Sequence, residues 1–134
     1  MNACPAESAE LILELPAQPG SVATARHALR DLAEQAGASA ADVQLAVSEA
    51  VSNAVAHGFR ERPAGTVRIS ARIDYEALQV CVADDGSGMR SNLESTGLGL
   101  GMMLITRLAS HASFDSTETG TTVSMSFTIA GETV

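Results

Sequence analysis

Glu49-Ala50-Val51-Ser52-Asn53-Ala54-Val55-Ala56-His57-Gly58 is a run of small apolar residues interrupted by polar side chains at regular spacing. Residues four apart lie on the same face of a helix, so Glu49, Asn53 and His57 would form one polar stripe. Burying such a group without a partner costs about 1–3 kcal/mol. The stripe therefore predicts a polar partner, either another group of the protein or a ligand.

The segments on both sides of this run predict further helices. Ser21 should cap a helix that Gly37 ends, and a helical pattern resumes over 102–109. The helix that contains the stripe should begin at the cap Ser39 and end just before Gly58, its stop signal.

Alternating apolar residues and short apolar runs predict strands at 10–15, 67–73, 78–83, 112–116 and 121–129. Residues 84–101, rich in Gly, Ser and Asp, are expected to form a loop. Because tight turns join consecutive strands, we expect an α/β (α+β) fold: a two-layer sandwich with a mostly antiparallel mixed sheet and the helices on one face.

Composition and charge limit the functions that this sequence can have. Hydrophobic residues make up 46% of the 134 positions, which suits a single packed domain. We expect residues 9–130 to form that domain, after a disordered tail at 1–8. The net charge of −8 argues against nucleic acid as a partner, because phosphate binding needs clustered Arg and Lys. The chain contains no Lys, which excludes a P-loop phosphate site and Schiff-base chemistry.

The cysteines and the hydropathy predict a cytoplasmic protein. Cys4 and Cys81 are far apart in the sequence and in unlike contexts, so we expect reduced thiols rather than a disulfide. No run approaches the roughly 18 apolar residues that a membrane span needs. The N-terminus also lacks the basic and apolar segments of a secretory signal. We therefore expect no membrane association.

Three glycine-containing segments offer backbone to a ligand. Asp84-Asp85-Gly86-Ser87-Gly88-Met89 follows an apolar strand, and its glycines would let the backbone approach a flat ligand closely. Thr96-Gly97-Leu98-Gly99-Leu100-Gly101 precedes a helix, where free backbone N–H groups form an anion site. Gly120-Thr121-Thr122 is typical of a hairpin tip. Taken singly, each segment is more typical of an ordinary turn than of a ligand site. Together, and in this order after the polar stripe, they form a specific pattern.

This pattern resembles the GHKL ATPase superfamily, which includes histidine kinases, gyrase-type topoisomerases and MutL. Segment 49–58 is similar to its N box, 84–88 to its D-x-G-x-G box, 97–101 to its second glycine box and 120–121 to its last one. Within the superfamily, the chain most resembles the bacterial anti-sigma factor serine/threonine-protein kinases of the stress-response and sporulation switches. The stretches AVSEAVSNAVAHGF, VADDGSGM, TGLGLG and GTTV carry that resemblance, which spans roughly residues 9–130.

The resemblance implies a binding site for ATP and Mg²⁺. Asp84 would accept the adenine amino group, and Thr121 would support the base from across the pocket. Asn53 would ligate Mg²⁺, for which an amide oxygen is a suitable hard ligand. Backbone N–H groups of 97–101 would wrap the β- and γ-phosphates. The other nucleotide contacts implied by the resemblance are Gly86, Gly88, Met89, Gly97, Leu98, Gly99, Leu100 and Gly101.

The resemblance also implies an enzymatic role and two protein partners. Glu49 would be the general base that takes the proton from a serine or threonine hydroxyl. The chain would phosphorylate an anti-sigma antagonist protein and sequester a sigma factor, and it would form a homodimer.

One departure from the family pattern leaves other readings open. Ser95 stands where the kinases often have an Arg that reaches the γ-phosphate, and the nearest cation is Arg90. An alternative is therefore an ATP-binding protein-interaction module without efficient kinase activity. A third reading is the detached catalytic domain of a histidine kinase, although the chain has no separate helical hairpin carrying a phospho-acceptor His.

Overall fold

The computed structural model describes residues 9–61, 65–74, 76–85, 98–117 and 120–129, with the backbone alone described at 57–61 and 98–100. Its strands are β1 (Leu11–Pro16), β2 (Thr66–Ile73), β3 (Ala77–Asp84), β4 (His111–Thr117) and β5 (Gly120–Thr128). Its helices are α1 (Gly20–Ala36), α2 (Ala40–Glu61) and α3 (Leu98–Leu108).

The strands form one sheet in the order β1-β2-β3-β5-β4. Every pairing between the described strands is antiparallel, so the parallel component of the predicted mixed sheet is not found there. β5 lies beside β3 although α3 and β4 separate them in the chain. The predicted α/β sandwich is otherwise confirmed, and the order of strands brings the end of β3 next to the beginning of β5.

The core lies between the sheet and the helices. Alternate strand residues such as Ile69 on β2 and Val80 on β3 are buried and face α2, whose Val47 and Val51 are fully buried. Because successive strand residues point to opposite faces, the polar alternates of β2 lie on the other side of the sheet. The helix that carries the polar stripe is thereby fixed over the centre of the sheet.

Two helix ends follow the sequence prediction. Gly37 ends α1 in the left-handed conformation at φ 88°, and its N–H donates to the Ala33 carbonyl oxygen at 3.0 Å. Ser39 caps α2, since its Oγ accepts a hydrogen bond of 3.2 Å from the Asp42 N–H.

Three predicted boundaries were wrong. Ser21 lies inside α1, which begins at Gly20, and its hydroxyl donates to the Pro16 carbonyl oxygen at 2.6 Å instead of capping the helix. α2 continues through Gly58, because a glycine ends a helix readily where its φ is positive, and among the described glycines only Gly37 and Gly120 have that conformation. α3 begins before 102–109, at Leu98.

The prediction of reduced cysteines is wrong for Cys81, which is disulfide-bonded. Its side chain lies on the sheet face away from the helices, where its Sγ is also 3.9 Å from the Ser124 hydroxyl. The sequence placed Cys81 in a buried strand but did not show which face it occupies. The chain's other cysteine, Cys4, lies outside the described residues.

The predicted tail at 1–8 and the last residue of the predicted domain, Ala130, also lie outside the described residues. Among the helices that are described, none combines the length and the apolar character needed to cross a membrane.

Candidate nucleotide site

The polar stripe of α2 faces the beginning of α3. Glu49 and Asn53 are half-buried, and Ala50 and Ala54 on the inner side of the helix are buried. A Cβ atom built on Gly101 would lie 3.0 Å from Glu49 Oε1 and 3.4 Å from Asn53 Nδ2. The stripe thus meets the end of the second glycine segment across the contact between α2 and α3.

A small pocket opens beside this contact, between α2, α3 and the ends of three strands. Its lining is mostly apolar, with three polar side chains among the apolar ones, which is the usual chemistry of a cofactor site. Its cavity volume is ≈ 10 Å³, about what one water molecule needs. The pocket is lined by Ala50, Asn53, Ala54, Val82, Asp84, Met102, Phe114, Thr121 and Val123.

Asp84 and Thr121 are brought together by strand pairing. They are register partners where the end of β3 meets the beginning of β5. Thr121 is buried, with 5% of its surface exposed, and its Oγ1 lies 3.2 Å from the Ser116 hydroxyl on β4. A buried hydroxyl with a fixed partner is held in one orientation. These two predicted adenine contacts therefore line one pocket with Asn53 between the sheet and α2.

Gly120 makes that pairing possible. Its φ is +149°, a conformation that side chains disfavour, and a Cβ atom there would collide with the Asp84 carbonyl oxygen. It would also lie 3.3 Å from the Asp85 Cα. A glycine is thus required at position 120 because the backbone of Asp84 and Asp85 passes so close to it. Its role is more than that of a hairpin tip.

Asp85 is a residue that the sequence did not single out. Its Oδ1 accepts a 2.9 Å hydrogen bond from the Thr66 N–H, and its own N–H donates to the Thr66 carbonyl oxygen at 3.4 Å. These bonds join the end of β3 to the beginning of β2. Of the two adjacent aspartates, Asp84 therefore lines the pocket while Asp85 holds the strand ends together. The doubled Asp was the only available signal for this division.

Several predicted contacts cannot be placed. Gly86, Gly88, Met89 and Gly97 lie outside the described residues, and so does the departure at Ser95. Leu98, Gly99 and Leu100 form the first turn of α3, where only their backbone is described. The side chain of His57, the third member of the stripe, is likewise not described.

Met102, Phe114 and Ser116 are site residues that sequence reasoning missed. Met102 and Phe114 line the pocket, and Ser116 contacts Thr121. The apolar pattern of α3 and β4 marked Met102 and Phe114 only as core candidates. Nothing in the sequence paired Ser116 with Thr121 except their nearness to one turn.

Comparison with known proteins identifies the family of this chain. The sequence model of the histidine kinase-like ATPase domain matches residues 15–127 of the chain. The chain belongs to this family. The resemblance inferred from the three glycine segments and the α2 stripe is thereby confirmed for the ATPase domain.

The relatives of this ATPase domain include one protein named as a kinase and one named as an anti-sigma factor. The domain is 36% identical over 81 residues to a protein from Listeria innocua named serine-protein kinase RsbW, covering 58% of this chain and 52% of the relative. It is 36% identical over 75 residues to a Clostridium beijerinckii protein named anti-sigma F factor, covering 46% of this chain and 52% of the relative. The chain therefore spans about half the length of these curated relatives.

A solved structure has the same fold. The crystal structure of the RsbU and RsbW domains of a Mycobacterium tuberculosis protein superposes with a TM-score of 0.70 and 25% sequence identity. The match covers 89% of this ATPase domain and 32% of that chain. The anti-sigma kinase resemblance seen in the sequence therefore recurs among both the relatives and the solved structures.

Proposed function

We propose that this chain binds ATP with Mg²⁺ and transfers the γ-phosphoryl group to a serine or threonine of an anti-sigma antagonist protein, while it also sequesters a sigma factor. The observation that carries the proposal is the meeting of the Glu49–Asn53 stripe, the Asp84–Thr121 pair and the beginning of α3 around one pocket. The names of the relatives, a serine-protein kinase and an anti-sigma F factor, support these substrate and partner classes.

The adenine base is assigned to the end of the pocket formed by Asp84 on β3 and Thr121 on β5, which we call the sheet end. The Asp84 carboxylate would accept a hydrogen bond from the adenine amino group, and Thr121 would complete the polar contact. Val82 and Val123, which are buried beside them, would pack on the flat faces of the base. Gly86, Gly88 and Met89 would extend this contact along the nucleoside.

The phosphates are assigned to the beginning of α3. The first N–H groups of a helix have no partner within it, and that end of the helix carries partial positive charge. Because the chain has no Lys, backbone N–H groups from Gly97 through Gly101 would have to supply most of this binding.

Asn53 is the residue assigned to Mg²⁺. Its amide is half-buried at the edge of the pocket and faces α3, and oxygen ligands of this kind suit a hard cation that takes its remaining ligands from phosphates and water. Bound there, the ion would neutralise the charge that develops on the phosphates.

Glu49 is assigned the chemical step. Its carboxylate would take the proton of the incoming hydroxyl as that oxygen forms a bond to the γ-phosphorus, and the bond from the γ-phosphorus to the bridging oxygen would break, so that ADP leaves. The carboxylate lies one helical turn from Asn53 on the same face of α2. One helix would thus position both the base and the metal ligand.

The proposal includes the biological setting. A sigma factor and its antagonist act on transcription, so a cytoplasmic location follows from it, and the family resemblance adds a homodimer. The net charge of −8 would favour association with basic protein surfaces.

A phosphotransfer assay with a single substitution tests the assignment. Wild type and Glu49→Ala would be mixed with Mg·ATP labelled at the γ-phosphate and with the purified antagonist protein of the same organism. We expect Glu49→Ala to bind ATP normally and to lose phosphotransfer by about a hundredfold or more, the usual contribution of a general base. The matched control is Glu34→Ala, which removes an exposed carboxylate from α1.

The outcomes distinguish a protein kinase from an ATP-binding interaction module. Equal phosphotransfer by wild type and Glu49→Ala would contradict the role of Glu49. If wild type binds ATP but transfers no phosphate to the antagonist, the interaction module suggested by Ser95 replaces the kinase.

A further inference from the structure

Gly101 occupies a position in a helix at which glycine is unfavourable. It lies inside α3, about one turn from the first residue of the helix, and it is half-buried. Glycine is the least favourable residue in a helix interior apart from proline. Its φ is not positive, since only Gly37 and Gly120 among the described glycines have that conformation. The backbone of α3 therefore does not require a glycine at this position.

The surroundings of Gly101 supply the reason. The three atoms nearest to a Cβ built there are Glu49 Oε1 at 3.0 Å, Asn53 Nδ2 at 3.4 Å and Asn53 Oδ1 at 3.8 Å. All three belong to the polar stripe of α2. A methyl group at 3.0 Å from a carboxylate oxygen is tighter than an ordinary contact, so one of the two would have to shift.

The nature of these atoms decides which group would shift. Glu49 Oε1 is the end of a flexible side chain, whereas α2 and α3 are held by the packing of buried residues such as Val51 and Ile105. An added methyl group would therefore displace the carboxylate and leave the helices in place. It would also cover one side of the carboxylate with an apolar group, which obstructs the approach of a hydroxyl.

We propose that Gly101 is a positioning residue for phosphotransfer, because its missing side chain keeps the Glu49 carboxylate uncovered and next to Asn53. This inference rests on the proposed function, in which Glu49 is the base. Displacing a reacting group by about 1 Å can lower a rate by about a hundredfold. The space at Gly101 would thus matter for the chemical step much more than for the binding of ATP or for folding.

Close packing of two helices is the competing explanation of this glycine. Packing glycines let the backbone or apolar side chains of one helix approach the other. Here the nearest atoms are the polar ends of Glu49 and Asn53, with no backbone or apolar atom among them. The geometry therefore points to the two functional side chains.

The test is Gly101→Ala, compared with Gly20→Ala as a matched control. Gly20 also lies near the beginning of a helix, but a Cβ there meets nothing within 4 Å. We expect Gly101→Ala to unfold at the wild-type temperature or above it, since alanine favours the helix. The contact that the family resemblance implies for Gly101 is its backbone N–H, which alanine keeps, so affinity for ATP should stay within about threefold of wild type. The kcat for phosphotransfer to the antagonist should fall about tenfold or more. Gly20→Ala should leave both unchanged.

A double variant shows whether the effect passes through Glu49. In a Glu49→Ala background the carboxylate is absent, so adding Gly101→Ala should change the residual rate by less than about twofold. A merely structural role of Gly101 would lower the rate equally in both backgrounds.

Each other outcome overturns the inference. It is wrong if Gly101→Ala transfers phosphate like wild type, if it unfolds at a lower temperature, if it loses ATP binding together with activity, or if its effect persists without Glu49. Failure of the proposed function looks different, because wild type itself would then transfer no phosphate, or Glu49→Ala would be as active as wild type.

Discussion

The two ends of the pocket are held in place by different kinds of contact. At the sheet end, the pairing of β3 with β5 puts Asp84 beside Thr121, and a side chain on Gly120 would strike backbone atoms. At the helix end, α2 meets α3, and the three atoms nearest to a Cβ on Gly101 belong to the side chains of Glu49 and Asn53. The sheet end therefore cannot adjust without breaking strand pairing, whereas the helix end can adjust while the fold stays intact.

Under the proposed function, this difference would separate the binding of ATP from the transfer of its phosphate. Changes at the sheet end should lower ATP affinity and stability together, because one set of backbone contacts serves both. Changes at the helix end should lower the rate of phosphotransfer and spare stability.

Gly120→Ala should have the largest effect on both stability and ATP binding, because it disrupts the strand pairing at the sheet end of the pocket. Its φ of +149° and the collision with the Asp84 carbonyl oxygen should lower the free energy of unfolding by about 2 kcal/mol or more. ATP binding should disappear with the Asp84–Thr121 pairing. Urea unfolding and calorimetric titration with ATP would measure the two effects.

Gly37→Ala is the control for this loss. Gly37 also has a positive φ, of +88°, but a Cβ there makes only an ordinary 3.4 Å contact with Ile129 Cγ2. The change should lower stability by about 1 kcal/mol through backbone strain alone and leave ATP affinity unchanged. Normal ATP binding by Gly120→Ala would show that the sheet end is not the base site.

Ser116→Ala should have an intermediate effect, a moderate loss of ATP affinity at the sheet end of the pocket. It removes the hydroxyl that lies 3.2 Å from Thr121 Oγ1 and leaves the strand pairing intact. Loss of one hydrogen bond of about 0.5–1.5 kcal/mol predicts a two- to tenfold weaker ATP affinity. Titration with ATP would measure it, with Ser113→Ala, exposed on the other face of β4, as the control. An equal loss in both variants would contradict a specific role for Ser116.

Asp74→Asn should have the smallest effect and tests the sheet away from the pocket. A hydrogen bond from the Gln79 side chain, then those from the Glu76 and Ala77 N–H groups, hold the pKa of Asp74 below its usual value of 3.8, aided by Arg72. A carboxyl whose pKa is lowered by folding stabilises the native state above its unfolded pKa and loses that effect as the pH falls through its folded pKa.

The measurement is the urea midpoint of wild type and Asp74→Asn from neutral pH to well below pH 3.8. The variant should be less stable at neutral pH, and the gap should close in acid. ATP affinity at neutral pH should be unchanged, because Asp74 lies at the opposite end of β3 from Asp84. A gap that stays constant with pH would contradict the assignment to the Asp74 carboxylate.

The sequence predicted the sandwich and three of the residues that line the candidate pocket, Asn53, Asp84 and Thr121, because both depend on local patterns. Alternation in 67–73 identified β2, and the spacing of Glu49 and Asn53 identified the face of α2. What it missed depends on contacts between distant segments. The bonds of Asp85 to Thr66, and the nearness of Gly101 to Glu49, exist only after the strands and helices have packed.

The boundary errors have the same origin. Ser21 and Gly58 have the residue types of a cap and a stop, but their roles depend on backbone angles that residue type does not fix. The disulfide of Cys81 likewise depends on which face of β3 the residue occupies.

The narrowness of the pocket makes ATP affinity depend on how often the pocket opens. The cavity between the lining atoms measures ≈ 10 Å³, about the room of one water molecule, so a bound purine ring would require these walls to move apart. Met102 is the most adaptable of the lining side chains, since methionine has three rotatable bonds. The measured dissociation constant then equals the intrinsic one divided by the fraction of molecules in the open conformation. A substitution that changes this fraction would alter ATP affinity without touching any atom that contacts the nucleotide.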